Sequence, residues 1–280
     1  YEIEAVTGVQ TCALQILLRL EYIQSKDNLL IKDIRKLKEK RYRTSSNMFL
    51  VEGFRFVEEA LDSGFEVAHI FISARGEDKF KNSSMKNKLQ VNTKVYGVSD
   101  SLLKNICDTD NPQGIIASVR NKPVEIKYDN GFYMLADRIQ DPGNMGTIIR
   151  TAHAAGALGV ILTKGTVDIY NEKTLRATMG SIFKIPIIYD NDLSLVQKLK
   201  KSGFKLVTSS LATDKNFYDI DLKGKIIISV GNEGNGISDE VYEICDLKIK
   251  IPMPGGAESL NAAVASSIMM YEVVRQKNII

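Results

Sequence analysis

Apolar positions recur along this chain in two successive rhythms. In the first part, short β-rich apolar runs at 49–51, 67–73, 94–98 and 114–119 predict strands. Phe54, Val57 and Leu61 stand three to four residues apart and predict a helix over 53–63, which Gly64 ends. Charged helical spacing over 32–39 and a polar segment over 77–89 predict two more helices, and Ser99 is placed to cap a short one through Leu103. The stretch 41–46 reads as a polar loop. From residue 132 the strands become longer Ile/Val runs, at 132–136, 160–163, 205–208, 226–230 and 247–251. Helical patterns fall at 144–155, 172–179, 193–201, 239–244 and 260–276. Unbroken apolar strands alternating with helices predict an α/β domain whose mostly parallel sheet is covered on both faces.

The polar stretch 121–130, with Pro123 and no apolar periodicity, reads as a linker between a small α/β domain at 26–120 and a larger one at 131–280. Residues 6–14 (VTGVQTCAL) resemble translated sequencing-adapter read-through, so 1–25 is set apart from the fold as an artefactual extension.

Composition changes this picture by exclusion. Hydrophobic residues at 44% and charged residues at 25% are the balance of a globular protein. No apolar run approaches the roughly 18 residues of a bilayer span, so no membrane helix is expected. Cys12, Cys107 and Cys245 form no CxxC pair and the histidines are His69 and His153 alone. That argues against a disulfide framework or a metal site and for a reducing cytoplasm. The net charge is only +3, but 26–44 holds eight basic residues against three acidic ones, a local +5 that leaves the remainder at −2. Such an arm is either a solvated helix face or a footprint for phosphate.

Three segments of the second domain carry candidate chemistry. In Asp141-Pro142-Gly143-Asn144-Met145-Gly146 a tight turn opens a helix. Asn144 stands at a cap position, and Gly146 permits a close approach. Arg150 follows six residues after Asn144, less than two turns along. In Gly231-Asn232-Glu233-Gly234-Asn235-Gly236 a strand runs into a glycine turn, with Ser238 placed to cap the next helix. The spacing is neither GxGxxG nor the phosphate-loop pattern, and Glu233 would repel an anion but suits a cationic or hydroxyl-bearing ligand. In the third, Ile251-Pro252-Met253 leads through Gly255 and Gly256 to Ser259-Leu260-Asn261, with Ser259 placed to cap a small-residue helix. Taken singly, each has a purely structural reading: a cap, a turn, a second cap.

The ordered set DPGNxGxxxRTA, GNEGxG and IPMxG…SLN, over about 132–276, resembles the SpoU/TrmH family of SPOUT-class RNA ribose 2′-O-methyltransferases. Ahead of it, NMFLVEG followed by VEEAL resembles the substrate-binding domain that often precedes SpoU domains and is similar to small RNA-binding ribosomal proteins. The resemblance implies a C-terminal α/β trefoil knot, a homodimer formed through that domain, and S-adenosyl-L-methionine as cofactor. It implies cofactor contacts, many through backbone, at Ser210, Leu211, Gly231, Asn232, Gly236, Ile251, Met253 and Leu260. It assigns the central role to Arg150, with Asn144, Glu233, Ser259 and Asn261 placing Arg150 and the ribose. A guanidinium titrates above about 12 and is a poor base, so Arg150 is expected to hold an RNA phosphate and stabilise the developing alkoxide. A separate N-terminal RNA domain favours large-subunit ribosomal RNA over transfer RNA, with Lys40, Arg41, Arg43 and Arg55 as candidate phosphate contacts. A transfer-RNA methyltransferase and a non-catalytic RNA-binding or ribosome-assembly protein stay open. A nucleotide-dependent oxidoreductase lacks its GxGxxG. No metal and no membrane are expected.

Overall fold

The computed structural model describes residues 20–210 and 213–277. The first domain contains β1 (Glu21–Ile23), α1 (Leu29–Lys36), α2 (Lys40–Ser46), β2 (Met48–Glu52), α3 (Phe54–Asp62), β3 (Glu66–Ser73), α4 (Ala74–Lys81), β4 (Lys94–Val98), α5 (Asp100–Ile106) and β5 (Ile115–Arg120). Its five-stranded sheet has the order β1-β4-β3-β5-β2 and mixes parallel and antiparallel pairs. Alternation along β3 sends Phe71 to the face covered by α1 and α5, and Ile70 and Ile72 to the face covered by α3 and α4.

The second domain contains β6 (Phe132–Ala136), α6 (Pro142–Ala154), β7 (Gly159–Leu162), α7 (Glu172–Thr178), β8 (Ile187–Tyr189), α8 (Ser194–Lys201), β9 (Lys205–Ser209), β10 (Ile226–Val230), α9 (Asp239–Ile244), β11 (Leu247–Ile249) and α10 (Ala262–Lys277). Its six strands, in the order β11-β9-β10-β6-β7-β8, are all parallel. β6 and β10 are buried along their whole length, as central strands of a doubly covered sheet must be. Met145, Ile148 and Ile149 of α6 and Met269, Met270 and Val273 of α10 fill one face; Val196 and Leu199 of α8 and Val241 of α9 fill the other. Between the domains, the Tyr133 hydroxyl accepts from Lys127 N–H at 2.9 Å and donates to Lys127 C=O at 2.8 Å, which pins the linker to the sheet.

The structure departs from the sequence reading at definite places. The segment 41–46 is helical, within α2; its one fully buried side chain is Arg43 and only Tyr42 adds an apolar contact, so no apolar periodicity marks it. Asn47, left-handed at φ 54°, ends that helix. The 77–89 segment splits into α4 and a 3-10 turn that Ser83 caps. Glu21–Ile23, inside the segment set apart as an extension, pairs in parallel with β4; residues 1–19 lie outside the described residues. β8 is a three-residue edge strand too short to show a pattern. No helix among the described residues is long and apolar enough to cross a membrane, and no cluster of metal-ligating side chains occurs among them.

Candidate active site

The parallel strands of the second domain direct three loops to one end of the sheet, where open α/β sheets place ligands. The loop after β6 begins at Asp137, which is 1% exposed. Its Oδ1 accepts the Thr163 hydroxyl at 2.8 Å, and its Oδ2 accepts Ser238 N–H at 2.6 Å. Arg138 is left-handed at φ 57° and is fixed there from both sides. Its N–H donates to Thr163 Oγ1 at 3.0 Å, and its carbonyl accepts from Asn232 Nδ2 at 2.9 Å. Asp141, rather than Asn144, caps α6: its side chain accepts Asn144 N–H at 2.7 Å, and Pro142 occupies the first turn. This frees the Asn144 side chain.

Asn144 Nδ2 donates to Glu233 Oε1 at 2.9 Å, and Asn144 Oδ1 accepts from Asn261 Nδ2 at 2.9 Å. One residue from each of the three segments is thereby joined in a single relay. Asn261, rather than Ser259, caps α10, its Oδ1 accepting from Ala263 N–H at 2.9 Å and Val264 N–H at 3.2 Å. Glu233 also accepts the backbone N–H groups of Gln140 and Asp141, both at 3.2 Å. Burial alone pushes its carboxyl up, but the Asn144 amide and those N–H groups together hold it below the ordinary carboxylate range. The partners of Glu233 are protein donors, so the carboxylate that looked suited to a cationic or hydroxyl-bearing ligand clamps the loop after β6.

Between this relay and the end of β9 lies a cleft of about 580 Å³, within the usual size of a small-molecule site. Ser210, Gly231, Asn232, Gly236, Ile251, Met253 and Leu260 line it, as do Glu233, Ser259 and Asn261. Leu211 lies outside the described residues. The glycine turn is closed on itself by reciprocal Asn232–Gly236 backbone bonds at 2.9 Å. A Cβ at Gly231 would sit 2.1 Å from the Gly236 carbonyl carbon, so only glycine permits this turn. Val230, Ile237, Ile249 and Tyr242 also line the cleft and were not singled out from sequence. They are ordinary core letters there, whereas Asp137, an acid directly after an apolar strand, did carry a readable signal.

Arg150 is exposed on α6 and makes no hydrogen bond or ion pair among the described residues. Beside it, Thr151 Oγ1 meets Ser267 Oγ of α10 at 3.2 Å. Gly146 does make a close approach, but to α7: a Cβ would lie 2.3 Å from that of Ala177.

Half of the basic arm is paired internally. Lys32, Lys36 and Lys38 pair with Asp27, Asp33 and Asp108 at 2.9–3.0 Å. Arg43 is buried against Asp168 of the second domain, so the structure removes it from the candidate phosphate contacts. Lys40 and Arg41 are exposed, and Arg55 is exposed but bonded to Glu59 at 2.9 Å.

The chain matches the SpoU rRNA Methylase family over residues 131–271 and the MRM3-like substrate binding domain over 28–117. It is 37% identical over 254 residues to the 23S rRNA (guanosine(2553)-2′-O)-methyltransferase RlmP of Bacillus subtilis, covering 91% of this chain and 99% of that protein. Among solved structures it resembles an AdoMet-bound rRNA methyltransferase from Sinorhizobium meliloti, with a TM-score of 0.82, 32% identity, and coverage of 93% and 99%. The SpoU methyltransferase AviRb from Streptomyces viridochromogenes, in complex with AdoMet, gives a TM-score of 0.79 at 29% identity, covering 89% of this chain and 98% of that one.

Proposed function

The chain belongs to the SpoU rRNA methylase family, and from that premise we propose that it methylates a ribose 2′-hydroxyl of large-subunit ribosomal RNA with S-adenosylmethionine as donor. The observation that carries this reading is the relay Glu233–Asn144–Asn261, which joins all three segments at the rim of the cleft. The cleft suits the donor. Ile249, Ile251, Met253 and Leu260 offer apolar wall for adenine, and the Gly231–Gly236 turn brings backbone donors and acceptors within reach of polar groups. When bound, S-adenosylmethionine supplies an activated methyl group on a sulfonium.

The chain's own residues align the nucleophile and stabilise its charge. The Asp141 cap and the Glu233 clamp fix the first turn of α6. That turn orients Asn144 and sets where Arg150 projects from the same helix. Arg150, free of internal partners among the described residues, is available to an RNA phosphate and to the oxygen as it develops negative charge. Ser259 and Asn261 close the other side and help place the ribose.

Lys40 and Arg41 on α2 are the strongest candidates for RNA phosphate contacts in the first domain, with Arg55 weakened by Glu59. Two features support a knotted end: β11 sits beyond β9 at the sheet edge, and α10 returns against α6 and β10. Val264 and Tyr271 of α10, 47% and 51% exposed, support a homodimer through this helix. We place the enzyme in the cytoplasm, where its RNA is.

The test is transfer of labelled methyl from S-adenosylmethionine to large-subunit ribosomal RNA lacking the modification. The account expects incorporation into alkali-resistant dinucleotides, the mark of a 2′-O-methyl group. Label in a base, or no label in any RNA, would overturn it.

A further inference from the structure

We infer that the buried Arg43–Asp168 pair is a specificity-determining contact, one that fixes the distance between RNA held by the first domain and the methyl-transfer site. This rests on the RNA methyltransferase reading. All three guanidinium nitrogens of Arg43 are committed. Nη1 donates to Leu37 C=O and Lys38 C=O, both at 2.7 Å, while Nε (3.2 Å) and Nη2 both reach Asp168 Oδ2. Asp168 Oδ1 in turn accepts Tyr170 N–H at 2.9 Å. Aromatic rings pack beside the pair. Tyr170 stacks on Phe49 at 4.5 Å, and Phe183 packs against Phe56 at 5.3 Å and Phe65 at 5.2 Å.

Aromatic packing alone can slide; a buried ion pair cannot shift without stranding a charge. Fixing register is the best-attested use of such pairs. The pair also joins two elements that matter. On one side is α2, which carries the exposed Lys40 and Arg41. On the other, the Asp168 carbonyl accepts the Thr174 hydroxyl of α7 at 3.3 Å. α7 packs so tightly on α6 that only glycine fits at position 146, and α6 carries Asn144 and Arg150. Anchor and reacting centre are thus connected through rigid elements, with the 121–130 linker bypassed.

The test uses the full chain with Arg43→Met and Asp168→Asn combined, which removes both charges and leaves no lone buried ion. Affinity for S-adenosylmethionine should stay within about twofold, since neither residue lines the cleft. The kcat/KM on unmodified large-subunit ribosomal RNA should fall about a hundredfold, the cost of a misplacement of about 1 Å. Methyl marks should spread to neighbouring riboses, and the radius of gyration from solution scattering should rise. A folded double variant that marks the same single ribose at wild-type kcat/KM and scatters like wild type overturns the inference. If that variant does not fold, Arg43→Lys carries the test, because it keeps the charge and loses the fork. There too, site choice should relax, and unchanged site choice and kcat/KM overturn the proposal. Scattering does not depend on methyl transfer. A wild-type protein that methylates no RNA therefore refutes the functional reading alone, and the scattering of the double variant still judges the lock.

Discussion

The two domains spend their polar residues in opposite ways. In the second, three separated segments converge. Asn144 bonds to both Glu233 and Asn261, and Arg150 on the same helix has no partner among the described residues. In the first, half of a conspicuous run of positive charge is spent on neighbours: Lys32, Lys36, Lys38 and Arg43 all sit in ion pairs. Arg150 stays exposed on its helix, while half of the crowded basic arm is held in ion pairs. Charge density along a sequence is therefore a poor guide to an interface.

The sharpest way to break this contrast is Arg150→Ala. We expect methyl transfer to fall at least about a hundredfold, as when one group that stabilises transition-state charge is removed. Calorimetric affinity for S-adenosylmethionine should be unchanged, because Arg150 does not line the cleft. Gly231→Ala is the converse test. The added methyl meets the Gly236 backbone at 2.1 Å, and overpacking strain of about 1–3 kcal/mol should weaken cofactor binding roughly tenfold.

Much of this was legible beforehand. Continuous Ile/Val strands identified the parallel sheet, because a strand buried on both faces has no polar letters to alternate with. The motif order carried the family. The caps were misassigned because Asn144 and Ser259 are good capping types at plausible positions, and only coordinates reveal that Asp141 and Asn261 reach the free N–H groups first. α2 was unreadable because a seven-residue helix whose buried side chain is an arginine has no hydrophobic period. Arg43 looked like an RNA contact for the same reason. Its partner Asp168 is 125 residues away, and nothing local announces the pairing.

Smaller effects sharpen the comparison. Glu233→Gln keeps the shape but offers one acceptor oxygen where the carboxylate offers two to Gln140, Asp141 and Asn144. We expect a roughly tenfold loss in kcat, about 1.4 kcal/mol, measured in single-turnover reactions. Because the folded Glu233 carboxyl is held below its ordinary value, the clamp contributes above the unfolded value of about 4.3. It is lost as pH falls through the lower folded value, so cofactor binding should weaken there in the wild type and show no such step in Glu233→Gln. Smallest of all, Lys40→Ala with Arg41→Ala should raise KM for RNA a few-fold and lower the salt slope of binding by about two. Lys38→Ala, whose charge is already held by Asp108, should leave that slope unchanged.

The most direct test of the central claim is a map of ribose 2′-O-methylation across the ribosomal RNA of cells that lack the gene, complemented with either wild type or Arg150→Ala. The account predicts one large-subunit ribose that is methylated with the wild type and bare with the variant. Methylation at that ribose by Arg150→Ala to the wild-type extent, or no position that responds to the gene at all, would contradict it.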